Sequence, residues 1–457
     1  MNLLRAIGRF LLGALKVLRL ALPKLGVGWM FALLTSNFNR VSIVELGVMA
    51  IIVTTMIGLH HFLSPFQVVW GRIADSRPVF GLRRTPYLLL GATVASLVFL
   101  ALPSVAVAMG EGSVLAIVAG YALLILFGVG IAAMGDCHHA LIAEVTNPRT
   151  RGGVVAVVWT FTIMSTIIAA TVIKAQMPSY TPEAMQALYN LTPLVVIGSA
   201  LLGVLGIEKR LSREELAVAL ERARAAAPPG NPLRAAVGLF RQNPQVRAFF
   251  GFVFLSIVGI FLQDSILEVF GAKVFNMTIR ETTTFTQTWG GGVLGGMLVM
   301  GLLSSIFPIG KKVIALIGGI GTAFGLGLLA VCALTEQRSL LNPAIVLMGF
   351  STGLYNVGAL SLMMDMTVEG ATGLYMGMWG MAQAFGTATA NILAGALHTA
   401  LIETQVLSQT LGYGVIFGLE AVLMVFGIAL LSGVSVEAFR GLTRADLTRA
   451  MEAGAVA

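Results

Sequence analysis

The chain has 457 residues, 57% of them hydrophobic and only 11% charged, with a formal net charge of +8 and a mean hydropathy of +0.90. Soluble domains carry about a quarter charged residues, so these values exclude a soluble protein and point to an integral membrane protein with many spans. Strands of alternating polarity are absent, which leaves helices as the spanning element.

In chain order, residues 1–24 begin "MNLLRAIGRFLLGALKVLRL", with Arg5, Arg9, Lys16 and Arg19 scattered through apolar sequence. No uninterrupted apolar core follows a basic start. The stretch therefore reads as an amphipathic helix on the cytoplasmic leaflet rather than a cleavable signal. Apolar runs of about 20 residues, enough to cross roughly 30 Å of hydrocarbon, then predict twelve spans. They are 25–46, 49–70, 86–108, 114–136, 152–174, 190–207, 247–270, 284–306, 313–334, 341–364, 371–398 and 411–433. The hydrophilic stretch 208–246 divides them into an N-terminal half over 25–207 and a C-terminal half over 247–433, followed by a tail over 434–457. In that linker Ser212 and Glu215 have capping-box spacing, and Pro228-Pro229-Gly230 stops the helix. Of the 29 Lys and Arg, 24 fall on the side that holds both termini, counting Arg247 with the linker. That bias places both termini in the cytoplasm. The net charge is thus a topology signal, and no nucleic-acid partner is expected. Cys137 and Cys332 fall toward opposite ends of the spans, which excludes a disulfide.

The two halves echo one another. Span one ends "NRVSIVELG", with Arg40 and Glu45, and span seven ends "QDSILEVFG", with Asp264 and Glu268. Span four closes on Asp136 and span ten on Asp365. Two parallel six-helix halves are the plan of the major facilitator superfamily. The loop "GRIADSRPVFGLRRTPY", with Gly71, Asp75, Arg77, Gly81, Arg83 and Arg84, resembles that superfamily's signature loop. Asp75, Arg77, Arg83, Arg84 and Asp365 are candidates for a latch between the halves on the cytoplasmic side; the arginines also serve as plain topology signals. Arg40, Glu45, Asp264 and Glu268 are candidates for a latch on the opposite side, with Arg40 paired to Asp264 or Glu268. The competing reading there is separate hydration at the interface.

The strings "GWMFALLTSNFNRVSIVELGV" (28–48), "GLHHFLSPFQVVWGRIAD" (58–75), "GLRRTPY" (81–87), "GDCHHALIAEVTNPRTRGG" (135–153) and "LQDSILEVFGAKVF" (262–275) with "ETTTFTQTWGGG" (281–292) resemble the PucC/LhaA family over nearly the whole chain. The resemblance implies an all-α, twelve-helix, major-facilitator-like protein of a photosynthetic inner or intracytoplasmic membrane. It implies a non-enzymatic factor in assembling light-harvesting complexes. Its partners would be antenna α and β polypeptides and (bacterio)chlorophyll, with pigment-synthesis enzymes or the membrane insertion machinery as further candidates.

The histidines suit that reading. The Mg of a chlorin usually takes one axial ligand, most often a neutral imidazole whose other nitrogen is held by a hydrogen bond. His60 and His61 fall in the middle of span two, where a polar side chain is costly. His138 and His139 follow Asp136, which shares a helix face with His139 at i,i+3 and can orient it. Structural hydrogen bonding competes with ligation at both pairs. His398 reads as interfacial. The rival function is a secondary transporter of a pigment precursor or another small amphiphile, in which Asp264, Glu268, Asp365 or Glu420 would carry protons. No hydrolytic triad, P-loop or metal-cage spacing is present in the sequence. The Met cluster of 361–383 suits a core or a broad ligand surface, and the Gly runs at 290–296 and 318–327 read as close helix packing.

Overall fold

The computed structural model describes residues 2–147, 151–212, 214–218, 221, 237–238, 240–241, 243–367 and 372–440. Apart from one isolated bridge between Val79 and Leu82, these residues form helices and their connections. Ten helices are long and apolar enough to cross a membrane, and Ala50–Leu63 is a shorter apolar one. With the 23-residue helix Thr284–Ile306, each of the twelve expected spans finds a helix.

The helices are α1 Asn2–Ala21, α2 Pro23–Ala32, α3 Ala50–Leu59, α4 Gln67–Ser76, α5 Thr85–Gly110, α6 Val114–Val145, α7 Arg151–Gln176, α8 Pro182–Asn190, α9 Thr192–Val204, α10 Pro244–Phe261, α11 Leu267–Phe275, α12 Ile279–Thr282, α13 Thr284–Ile306, α14 Lys311–Thr335, α15 Leu341–Asp365, α16 Thr372–His398, α17 Gln409–Ser432 and α18 Val436–Arg440. Proline stands in the first turn of α2, α5, α8, α9 and α10, where its missing N–H costs nothing. Side chains of Ser113, Thr181, Asn243 and Ser408 cap α6, α8, α10 and α17. Ser212 and Glu215 make the expected reciprocal bonds, at 2.9 and 3.2 Å. Pro228-Pro229-Gly230 and the tail beyond Arg440 lie outside the described residues.

Three spans differ from continuous α-helices. The first apolar stretch runs from Leu11 to Glu45, so α1 leads into α2, and π turns follow at Leu33–Phe38 and Val41–Glu45. Span two breaks after α3 into a 3-10 segment, His60–Phe66, before α4 resumes. The break has a local cause: the His60 ring bonds back to the Ile57 carbonyl, and Pro65 brings no N–H to the helix. Span seven breaks at Gln263–Ser265.

Two compact units result. One comprises Met1–Val48, Leu63–Arg224 and Met277–Gln287; the other comprises Met49–Phe62, Ala225–Asn276 and Thr288–Ala457. Each half of the chain therefore lends a short segment to the unit built mainly by the other half. Within the first unit α5 and α6 cross where Gly91 and Gly130 face each other: a Cβ on Gly91 would lie 2.5 Å from the Gly130 carbonyl oxygen. Within the second, α14 and α15 cross in the same way, with Gly318 against the Tyr355 backbone and Gly358 against Ala315. Small residues let backbones approach where lipid offers no hydrophobic drive between helices. The second unit's core joins Phe249, Phe252, Tyr375 and Trp379 with Met363, Met366 and Met378. These Met side chains are core filler, although Met364 and Met376 remain exposed.

Gly318→Ala places a methyl in the Tyr355 backbone and is expected to cost about 1–3 kcal/mol of stability. Gly327→Ala meets nothing within 4 Å and is expected to be neutral. Thermal unfolding of both variants in detergent, read by loss of the monodisperse chromatographic peak, checks the pair.

Candidate functional site

The signature loop folds around a tight turn. Val79 and Leu82 exchange two backbone hydrogen bonds of 2.9 Å, and Phe80 and Gly81 between them have φ of 53° and 78°. Glycine accepts that left-handed geometry without strain, and a Cβ on Gly81 would lie 3.0 Å from the Leu211 carbonyl. The turn sets Arg83 and Arg84 at the start of α5. Arg84 bonds Asp75, at the end of α4, at 2.6 Å and Glu144, at the end of α6, at 2.9 Å. Arg83 reaches Glu144 at 3.1 Å and Asp75 at 3.7 Å. Burial opposes the Arg84 charge, but Glu144 and then Asp75 hold its pKa above the ordinary value. Glu208, just beyond α9, accepts the backbone N–H groups of Arg83, Arg84 and Thr85 at 2.7, 2.9 and 2.7 Å. A carboxylate there satisfies the otherwise open N-terminus of α5. The Arg77 carbonyl takes the Tyr87 hydroxyl at 2.6 Å.

These ion pairs of the cytoplasmic latch candidates lie within the units. Asp75, Arg83 and Arg84 join α4, α5 and α6 inside one unit. Asp365 pairs with Lys311 at 2.8 Å inside the other. Sequence spacing did not single out Glu208, because its partners are backbone groups more than a hundred residues away.

Other cations close helix C-termini. Lys16 donates to the Val145 carbonyl at 2.8 Å. Arg19 donates to Leu202 at 3.0 Å and also to Leu205, past the end of α9. Lys312 donates to Ser432 and Val434, past the end of α17, at 2.7 and 2.9 Å. Residues read as topology signals are thus also caps.

The expected opposite-side latch is corrected. Arg40 is 2% exposed and bonds Glu45 at 2.7 Å and the Met277 carbonyl at 3.1 Å, rather than Asp264 or Glu268. The π turn Val41–Glu45 brings i and i+5 onto one face, which a regular helix would not. Asp264 accepts from Gln263 at 2.9 Å, and Glu268 is 4% exposed. Glu420, on α17, is fully buried, and neither carboxyl oxygen has a hydrogen-bond partner among the described residues. It lies within electrostatic reach of Asp264. His398, expected at an interface, is buried, meets the Tyr413 hydroxyl at 2.9 Å and stands 3.4 Å from Glu403. Glu403 and Thr399 in turn accept the first N–H groups of α3, from Ala50 and Ile51, at 3.0 and 3.1 Å.

The two histidine pairs divide by environment. His138 is 1% exposed, and its Nε2–H donates to the Leu20 carbonyl at 2.7 Å, so it fastens α1 to α6. His139, stacked on it with ring centroids 6.1 Å apart, is exposed. Asp136 does not orient His139: its carboxyl faces α4, where Oδ2 would lie 3.0 Å from a Cβ on Gly71. The 60° between positions i and i+3 is enough to send the two side chains to different neighbours. His60 is buried and donates Nδ1–H to the Ile57 carbonyl, which fixes the tautomer with a lone pair on Nε2. His61 is half-buried, with its ring 3.9 Å from that of His60.

Glu208→Ala leaves three N–H groups of α5 without their acceptor and is expected to cost about 1–2 kcal/mol. Arg84→Met leaves Asp75 and Glu144 facing each other and is expected to cost about 2 kcal/mol or more; Arg84→Lys recovers only part, because Lys lacks the two-sided fork. Thermal unfolding of the purified variants orders them: wild type, Arg84→Lys, Arg84→Met.

The sequence matches the family described as PUCC protein over residues 37–439. The bacteriochlorophyll synthase 44.5 kDa chain of Rhodobacter capsulatus is 32% identical over 453 residues, covering 96% of this chain and 100% of its own. Protein PucC of Rhodovulum sulfidophilum is 26% identical over 398 residues, covering 84% and 85%. Among solved structures, a POT family transporter in complex with a thioalcohol-conjugated peptide matches with a TM-score of 0.65 at 12% identity, over 92% of this chain and 96% of its own. A D-xylose–proton symporter matches with a TM-score of 0.65 at 15% identity, over 89% and 96%. At such identities the likeness establishes the fold, a multi-pass major facilitator fold, and nothing about cargo. With the family matched over all but the two ends and a relative aligned along its whole length, the chain belongs to the PUCC protein family.

Proposed function

We propose that this protein is a non-enzymatic assembly factor for photosynthetic light-harvesting complexes. It binds (bacterio)chlorophyll at the membrane and promotes its insertion into antenna α and β polypeptides. The observation that carries the reading is His139: an exposed imidazole on a membrane-spanning helix, with no hydrogen bond from the described residues. A polar ring exposed on a membrane-spanning helix is costly without a use. The fit to a chlorin is chemical: neutral imidazole is the usual axial donor to its Mg. When bound, the chlorin would supply the light-absorbing macrocycle and a metal that takes a nitrogen donor. His139 would hold the metal, while buried His138 fixes the helix that carries it. His60 is a second candidate, because its Ile57 bond selects the tautomer that metal ligation needs. The names of the relatives, a bacteriochlorophyll synthase chain and PucC proteins, support a place in photosynthetic complex biosynthesis. The reading puts the protein in the inner or intracytoplasmic membrane with both termini cytoplasmic, as the distribution of Lys and Arg favours.

His139→Ala is expected to lower the chlorin retained by the gently purified protein about tenfold or more, while His138→Ala lowers stability instead. Absorption spectra of the two variants, beside a thermal melt, separate these effects. Retention unchanged in His139→Ala but lost in His60→Ala would move the ligand to α3. Retention unchanged in both would sink pigment carriage.

A second reading, transport by alternating access, is favoured by Glu420. A fully buried carboxyl with neither oxygen bonded among the described residues is the kind of group that takes up and releases a proton. If the protein couples a proton to an amphiphile, Glu420→Gln abolishes pH-driven uptake into proteoliposomes and leaves binding intact. Absence of any pH-driven uptake by the wild type removes this reading.

A further inference from the structure

Among the described residues Lys24 has no counter-ion. It is the second residue of α2, 7% exposed, and lies inside the apolar stretch Leu11–Glu45. It sits five residues, about 7 Å along a helix, deeper than Arg19, which closes the end of α9. A Lys within a span is expensive and is normally paired. Among the described residues no carboxylate pairs with it. The acids of α6 are engaged elsewhere: Glu144 by Arg83 and Arg84, while the Asp136 carboxyl faces Gly71.

What surrounds Lys24 instead is neutral. Its Nζ stands 5.4 Å from the centroid of the Trp159 ring, a cation–π contact weaker than a carboxylate at the same place. Trp159 is 41% exposed, so its indole also opens to the surroundings. His139, exposed, lies within electrostatic reach of the ammonium. His138 is committed to the Leu20 carbonyl. A buried cation, an exposed imidazole and an exposed indole, all from one unit, therefore stand together without an anion.

We propose that Lys24, His139 and Trp159 form a binding site for the anionic group of a membrane amphiphile. Lys24 faces a carboxylate or phosphate oxygen, His139 offers a second polar contact, and the indole packs on the adjoining apolar body. Two sources carry this chemistry: a chlorin with a free side-chain carboxylate, and an anionic phospholipid. The site stands whether or not His139 ever meets a metal, so it goes beyond the pigment reading.

The test uses the full chain as wild type, Lys24→Met, Lys24→Arg and His139→Ala, each checked for a monodisperse, melting species. One arm exposes the protein to equal amounts of phosphatidylglycerol and phosphatidylcholine and counts bound lipid by native mass spectrometry. The other titrates a zinc chlorin carrying a free carboxylate, and its methyl ester, by absorbance. Lys24→Met is expected to weaken the acidic probe about tenfold, a single lost ion pair, with the neutral probe unchanged and Lys24→Arg near wild type. Charge-selective binding in the first arm names a lipid as the source, and in the second a pigment. Lys24→Met binding both acidic probes as wild type does would overturn the site. If Lys24→Met does not fold, Trp159 reports in its place: wild type minus Trp159→Phe isolates its fluorescence. Quenching by brominated phosphatidylglycerol or by the chlorin acid, exceeding that by the neutral counterpart, supports the site, and equal quenching overturns it. Loss of chlorin in His139→Ala with no preference for acid over ester would leave the pigment reading standing and this site fallen. Acid preference that survives His139→Ala supports the anion site and separates it from ligation of a metal by His139.

Discussion

Hydrocarbon offers no hydrogen bonds, so each helix end that meets the membrane must have its open N–H and C=O groups satisfied by the protein itself. Several of the charged side chains answer that demand. Glu208 takes three N–H groups at the start of α5, and Glu403 takes one at the start of α3. Arg19 and Lys312 close the carbonyl ends of α9 and α17, the last spans of the two sequence halves. Acids sit at N-termini and cations at C-termini, the pairing the helix dipole favours. The ion pairs of the signature loop follow from the same placement. Once Arg84 is fixed at the head of α5 by a turn that needs Gly81, the ends of α4 and α6 bring Asp75 and Glu144 to it.

Once the capping charges are accounted for, a few polar groups inside the spans have no such duty. Lys24 faces an indole rather than an acid. His139 is exposed while its neighbour is locked to a carbonyl. Glu420 is buried with neither oxygen bonded among the described residues. Membrane proteins retain such costly groups where they bind or move something. The first two stand in one unit and Glu420 in the other. The fold is that of known transporters, while one relative carries a name from pigment biosynthesis.

Helix breaks fall at other buried polar residues, His60 and Arg40. The 3-10 segment starting at His60 and the π turns around Arg40 each reorient a polar side chain that a straight helix would leave against apolar neighbours. Such departures from regular geometry cost local hydrogen bonds and are often found at functional positions. The glycine crossings at Gly91 and Gly318 do the opposite: they lock long, regular helices backbone to backbone. Each unit thus combines rigid crossings with a few deliberately irregular turns.

The sequence alone determined the membrane class, the twelve spans, the capping box at Ser212 and the packing use of the glycine runs. These depend on composition, on the length of apolar runs and on local spacing, which no distant contact can change. Its family likeness was legible for the same reason: long local strings carry it. The partners of the charges were not legible. Arg40 looked ready for Asp264 and found Glu45, because a π turn altered the local period. Asp136 looked ready for His139, but its carboxyl faces Gly71 on α4 instead. Asp75 and Arg84 looked like a latch between halves and proved to bind one unit together. Glu208 and Lys24 drew no notice at all, since the first serves backbone groups far along the chain and the second matters for the acid it lacks. A charge's role depends on what surrounds it in three dimensions, and only the tertiary structure decided that.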